Sequence, residues 1–273
     1  MTTTTCLNCR QALQPGHRFC SACGQKADTH RISFKHFLHD LLHGFTHADI
    51  GIFHLIKQLA LKPGEVARNY LAGQRKRYFP PMNFYLIMIG LFVFTLGLFH
   101  TFEQPNNFAQ LRADVSKISD AVVRERRMMK LDRAETAMAF MTKKSNLVSL
   151  LLATPLAAFV FFLFYIRRNL NYAEHLVSNF YFAGFSALFF ILVVGPLVSL
   201  VDSQSFYLGA MSAFLFAEML YRSIAYYQLM NRKGARHYLY ALLASITAVG
   251  LWILLSQAIV IYYIDHGLPG IFH

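Results

Sequence analysis

The four cysteines of this chain stand as Cys6-Leu7-Asn8-Cys9 and Cys20-Ser21-Ala22-Cys23, two CxxC knuckles separated by ten residues. Two such knuckles offer four thiolates at tetrahedral distance to a single Zn²⁺. Gly24 after the last cysteine and Pro15-Gly16 in the intervening turn suit the tight backbone of a zinc ribbon. Arg10 stands where a glycine is common after the first knuckle. A lone CxxC can also exchange disulfides. Here there are two copies and no thioredoxin-like βαβ pattern around them, which favours metal. Four protein ligands close a site to substrate, so the expectation is one structural zinc per chain.

A second group of potential ligands is the histidine run. Seven of the twelve histidines fall before residue 55. His36, His39, His43 and His47 follow at spacings of three, four and four, which puts them on one helical face, with Asp40 and Asp49 nearby. Histidine and carboxylate at such spacing can hold a divalent metal. The same residues can equally line the polar side of an amphipathic helix and meet phosphate headgroups. Histidine boxes of membrane oxygenases come as several separated clusters, and only one is clear here, which weakens an enzymatic reading.

The third group lies within apolar sequence. Glu218 and Arg222 are four residues apart and share a helical face. Ionisable residues inside hydrocarbon are costly and point to function by default. A plain ion pair locking helices, or an Arg222 that snorkels to the surface, is the alternative. Glu174-His175 opens another apolar stretch, with Asn179 one turn on and Tyr181 nearby. By depth alone, these residues with Tyr226 and Tyr227 can form one polar pocket.

What must position these groups is a membrane. The 273 residues are 55% hydrophobic and only 15% charged, where a soluble domain carries about a quarter charged residues. A spanning helix needs roughly 20 mostly apolar residues. Five stretches qualify: 82–99, 147–166, 175–201, 206–230 and 238–264. Gly195-Pro196 and Pro155 are expected kinks. No apolar signal-peptide core is visible, so the first span is expected to serve as targeting signal. The expected class is therefore an all-α integral membrane protein of about five spans. Its divisions are a four-cysteine zinc ribbon at 1–26, cytoplasmic or interfacial amphipathic helices at 27–81, and a membrane domain at 82–273.

Charge sets the orientation. Arg75-Lys76-Arg77, Arg167-Arg168 and Arg232-Lys233 with Arg236 flank the spans, and the net charge is +12. Short loops rich in Lys and Arg stay in the cytoplasm. An inner N-terminus and five crossings put every cluster inside and the C-terminus outside. The mixed-charge segment 101–146 then lies outside, as one or two amphipathic helices over the span ends. On the inner side, 27–81 carries apolar stripes through Ile32, Phe34, Phe37, Leu38, Leu41, Leu42 and Phe45, then Ile52, Phe53, Ile56, Leu59 and Ala60. Lys62-Pro63-Gly64 breaks the second stripe, and a short helix 65–71 follows, ending at Gly73. These helices are expected apolar side down on the bilayer. Arg75, Lys76, Arg77 and Tyr78 are the expected contacts to anionic headgroups. Nucleic acid is the poorer explanation of the basic charge, since it hugs the membrane edge and no reading module accompanies it.

This order of elements resembles a bacterial family of uncharacterised membrane proteins, domain of unknown function 3667. The matching stretches are 6–25, Arg31-Ile32, His39-Asp40, His47-Ala48-Asp49, Pro63-Gly64, Asn69-Tyr70 and Gly73-Gln74-Arg75-Lys76-Arg77-Tyr78, with Glu174-His175 at a later span. The resemblance is specific over 6–85 and loose beyond. It implies a zinc-ribbon protein of the bacterial cytoplasmic (inner) membrane and supplies no reaction. Asn179 stands where relatives carry a histidine, which speaks against a metal role there.

Two functional classes remain. One is a non-enzymatic docking, scaffold or lipid-binding protein, its ribbon meeting a cytoplasmic protein partner. The other is a membrane enzyme or transporter built on the histidine cluster and the Glu218/Arg222 pair. The absence of a nucleophile elbow, a phosphate loop and paired catalytic carboxylates favours the first.

Overall fold

The computed structural model describes residues 5–14, 16–29, 31–32, 51–98, 108–143, 148, 152–201 and 203–267. The expected first amphipathic stripe, beyond Ile32, lies outside them. Among the described residues the chain is helical apart from the cysteine region, where two isolated antiparallel bridges, Thr5 with Ala12 and Phe19 with Lys26, replace a sheet. The helices are α1 (Gly51–Leu61), α2 (Pro63–Leu71), α3 (Pro81–Leu98), α4 (Phe108–Ser116), α5 (Ala121–Lys143), α6 (Thr154–Phe164) and α7 (Tyr172–Phe189). A π segment, Phe190–Val194, joins α7 to α8 (Gly195–Leu200), and α9 (Gln204–Leu229) and α10 (Ala235–His266) complete the chain.

Local sequence explains the first turns. Pro63 begins α2 at a position where its missing N–H is no loss. The helix stops at Ala72, and Gly73 follows with φ of 101°. On α1 the buried residues are Leu55 and Leu59, with Ile52 and Ile56 half covered. Phe53, expected in the same stripe, is turned outward and 78% exposed. The apolar sides of α1 and α2 face protein: they belong to the main core with α3, α6, α7, α9 and α10. Gly64 makes this possible for α2. A Cβ there would lie 2.1 Å from the Ala225 carbonyl oxygen and 2.4 Å from the Leu229 nitrogen, so α2 touches the backbone of α9 directly.

Among the described residues three helical stretches are long and apolar enough to cross a membrane: Pro81–Leu98, Tyr172–Leu200 and Ala235–His266. They match three of the five expected spans. Of the other two, α6 covers 11 residues of the expected 147–166 stretch. Helix α9 has 26 residues, but Glu218, Arg222 and its tyrosines dilute its hydropathy. Around the bundle Phe94, Leu192 and Leu254 are each about two-thirds exposed. A rim of this kind is unusual where water is the only solvent.

The middle of the bundle is α7, which packs against α3 and α6 and also against α1 and α2. Asn171 starts it with a capping box: its side chain accepts from the Glu174 N–H at 2.9 Å, and Glu174 accepts from the Asn171 N–H at 2.8 Å. The expected kinks are π turns. One lies at Leu152–Ala153 before Pro155, the other is Phe190–Val194 before Pro196. Proline lacks the N–H for the usual bond and crowds the preceding turn, and an extra residue relieves both.

At the opposite end from the cysteines, α5 packs against α10. Lys130 pairs with Asp265 at 2.6 Å, and Arg133 donates to the Ile264 carbonyl at 3.1 Å. Helix α10 has 32 residues, about 48 Å of rise. That exceeds a hydrocarbon layer of about 30 Å, so part of the helix is left over for α5 to hold. The expected helices of 101–146 are thus α4 and α5.

Candidate functional site

The two knuckles repeat each other. Cys6 N–H donates to the Gln11 carbonyl at 2.8 Å and Arg10 N–H to Cys6 at 2.9 Å; Cys20 donates to Gln25 at 2.8 Å and Gly24 to Cys20 at 2.9 Å. The first cysteine of each knuckle is buried; of the second ones, Cys9 is exposed and Cys23 half-buried. All four sulfurs lie within 4.8 Å of one another, and the pairs Cys6–Cys23 and Cys9–Cys20 are 3.6 Å apart. A tetrahedron with Zn–S of about 2.3 Å has edges of about 3.8 Å. The donor set therefore fits a metal ion of that size, with no disulfide formed. Backbone N–H groups of Cys23 and then Ala22 draw the Cys20 thiol down to about 7, while burial and the neighbouring sulfurs push Cys9 up.

One side chain ties the knuckles to the helical part by three hydrogen bonds. Gln25 is buried; its Nε2 donates to the Gly73 carbonyl at 2.8 Å, and its Oε1 accepts from the N–H of Arg75 at 3.0 Å and of Lys76 at 3.2 Å. Leu7 lies over Gly73, so that a Cβ there would meet its Cδ1 at 2.7 Å. The basic turn before α3 is thereby shaped by the cysteine region. Lys76 and Arg77 are exposed there, as headgroup contacts need. Tyr78 corrects the expectation. It is only 4% exposed, accepts from Asn69 Nδ2 at 3.2 Å and stacks near His54, so its ring meets protein rather than lipid. His36, His39, Asp40, His43 and His47 lie outside the described residues.

In the bundle, five of the polar residues meet as a chain. Arg222 pairs with Glu218 at 2.6 Å and donates through Nη1 to Asn179 Oδ1 at 2.9 Å. Asn179 Nδ2 donates to the Tyr226 hydroxyl at 2.7 Å, and His175 Nδ1 lies 3.2 Å from that hydroxyl. His175 is fully buried, and its Nε2 has no hydrogen-bond partner. Tyr226 stacks on Phe161 with 3.6 Å between ring centres. Tyr227 stays apart and accepts from the Gly234 N–H. Tyr181 also stays apart, donating to the Phe79 carbonyl at 2.8 Å.

Glu174 turns away from this chain. Arg31 grips its carboxylate with two bonds, Nε to Oε1 at 2.8 Å and Nη2 to Oε2 at 2.7 Å, and also reaches the Asn169 carbonyl. Asn171 Nδ2 holds the Ile32 carbonyl at 3.0 Å. The stretch of chain after the cysteine region is thus tied to the start of α7, and the carboxylate keeps the Arg31 guanidinium firmly protonated.

Residues 49–93 match the family described as Protein of unknown function (DUF3667). The match spans 45 of the 273 residues. It covers α1, α2, the turn that grips Gln25 and most of α3. Several residues of the DUF3667 stretch have structural duties: Gly64 meets α9, Asn69 holds Tyr78, and Tyr70 packs edge-on against Tyr181. The stretches 6–25 and 174–175 lie outside the match. No curated protein and no solved structure matches the chain.

Sequence reading missed the Gln25 clamp and the Arg31–Glu174 pair. The only available signal was indirect: Gln follows both knuckles, as Arg10-Gln11 and Gly24-Gln25. Nothing local distinguishes the glutamine that clamps from the one that does not.

Proposed function

We propose that this chain is a non-enzymatic multi-pass membrane protein whose N-terminal four-cysteine region, 1–26, is a zinc ribbon held at the cytoplasmic surface as a docking element. The Gln25 clamp onto Gly73, Arg75 and Lys76 carries this reading, because it fixes the ribbon against the turn that enters the first span. One structural zinc per chain would bring its four thiolates together, and the closed ligand set leaves no position for a substrate. Residues 27–81 join ribbon to bundle, and 82–273 form the membrane domain.

In this reading α6 and α9 complete a set of five crossings. Both pack against α10 and against the long helix that runs from α7 to α8, and polar residues on α9 turn inward rather than to lipid. The N-terminus is cytoplasmic and the C-terminus extracytoplasmic, since Arg68, Arg168 and Arg232 gather at the ribbon end. The bacterial cytoplasmic membrane is the setting that the family resemblance implies. Anionic headgroups would meet Lys76 and Arg77, and a cytoplasmic protein the outer face of the ribbon; nucleic acid is not the partner proposed.

The test is cysteine accessibility in intact cells and inverted vesicles, with single cysteines placed at Ser203 and Lys233 of a chain whose native cysteines are metal-loaded. Labelling of Lys233→Cys only from the cytoplasmic side, and of Ser203→Cys only from the other, is the expected pattern. Same-side labelling would sink the five-span reading. A second reading, a membrane enzyme or transporter, is favoured by one observation: the buried His175 Nε2 at the end of the Glu218–Arg222–Asn179–Tyr226 chain. Proton-coupled flux abolished by Glu218→Gln would establish it.

A further inference from the structure

Arg68 of α2, Arg168 in the turn after α6, and Arg232 in the turn between α9 and α10 line one cavity of about 350 Å³. They come from three distant parts of the chain, and none of the sequence motifs groups them. The remaining wall is largely apolar, with Leu71, Leu170 and Leu229. Among the described residues Glu174 is the only carboxylate in the lining. Both of its oxygens already hold Arg31 from outside the cavity, and one also accepts the Asn171 N–H. Among the described residues none of the three arginines forms an ion pair. Arg68 is aimed by its bond to the Gln228 carbonyl at 2.7 Å.

Three guanidinium groups facing one space repel each other. Such an arrangement holds together best around an anion. A guanidinium fork matches phosphate oxygens, and three forks from three directions suit a tetrahedral group better than a planar carboxylate. The volume is in the range of small-ligand sites. The cavity also lies at the ends of the apolar helices, the level at which headgroups sit.

We infer that this cavity binds a phosphate ester, borne either by a lipid headgroup or by a small soluble molecule, through Arg68, Arg168 and Arg232. The inference rests on the membrane reading above, which places these arginines at the cytoplasmic surface.

The experiment uses the full-length protein in detergent, titrated with inorganic phosphate and with dihexanoyl phosphatidic acid, binding being read by thermophoresis. The test variant is Arg168→Gln/Arg232→Gln, which changes two exposed turn residues and leaves the Arg68–Gln228 bond in place. The control is Arg167→Gln/Lys233→Gln, equal in charge but outside the cavity lining. Affinity for the bound probe should fall about tenfold or more in the test variant and stay within about twofold in the control. Binding of phosphatidic acid without competition from phosphate assigns a lipid headgroup. Equal binding and mutual displacement assigns a soluble phosphate ester. Failure of both probes to bind wild type, or equal losses in test variant and control, overturns the site. Alkaline carbonate extraction of the producing membranes separates the two levels. Retention in the pellet leaves the membrane reading standing when the cavity fails, and release to the supernatant removes that reading itself.

Discussion

Arg10 and Gly24 occupy equivalent places in the two knuckles, and both adopt left-handed backbone, with φ of 63° and 70°. Each donates its N–H to the first cysteine of its knuckle, at 2.9 Å. A side chain in this conformation costs roughly 1–2 kcal/mol, while glycine is freer in the unfolded chain and returns part of that gain. Arg10→Gly is therefore expected to stabilise the metal-bound ribbon by about 0.5–1 kcal/mol. Competition with a zinc chelator would show tighter retention; unchanged or weaker retention would mean that Arg10 bears no strain.

The sulfur tetrahedron sets the metal content. Purified protein should carry one zinc per chain, lost in Cys20→Ser and retained in a His36/His39/His43→Ala variant. Elemental analysis of the three proteins checks this. A further metal lost with the histidines would revive the enzyme reading.

Gln25→Ala should uncouple the ribbon from the bundle without unfolding it, because the removed group makes three hydrogen bonds to 73–76 and none to the sulfurs. A loss of about 1–3 kcal/mol is expected. Hydrogen exchange at the Arg75 and Lys76 amides should accelerate while zinc is kept. Loss of zinc instead would show the clamp to be part of the ribbon's own fold.

Gly64→Ala places a methyl group against two backbone atoms of α9 that have no freedom to yield. Overpacking of this kind costs about 1–3 kcal/mol or more. The thermal midpoint in detergent should fall clearly, whereas Gly90→Ala, where a Cβ meets nothing within 4 Å, should leave it alone. Similar behaviour of the two variants would refute the close contact of α2 with α9.

Removal of one partner from a buried ion pair costs about 3–5 kcal/mol, because the other charge is left uncompensated. Glu218→Gln and Arg222→Met should each destabilise strongly, and the double variant much less than their sum. Additive losses would indicate that the pair is solvated and not part of the buried chain leading to His175.

Much of the architecture was legible in local sequence. The paired CxxC spacing marks the four cysteines that gather into one donor set, because a tetrahedral site built on two tight turns admits few spacings. The apolar runs at Pro81–Leu98, Tyr172–Leu200 and Ala235–His266 announce three helices, because a membrane-crossing segment must be uniformly apolar over its whole length. Pro63 and Gly73 mark the ends of α2 for backbone reasons that need no partner. What tertiary structure alone decided is which way each helix turns and what meets across the sequence. The apolar stripe included Phe53 and passed over Leu55, yet packing against α2 and α7 buries Leu55 and leaves Phe53 outside. Tyr78 looks like an interfacial aromatic by position, yet Asn69 and His54 enclose it. Glu174 and His175 are neighbours in sequence, but successive residues on a helix point about 100° apart. One therefore serves Arg31 and the other faces Tyr226. Arg68, Arg168 and Arg232 converge only because three separate turns come to one end of the bundle, a fact with no local signature.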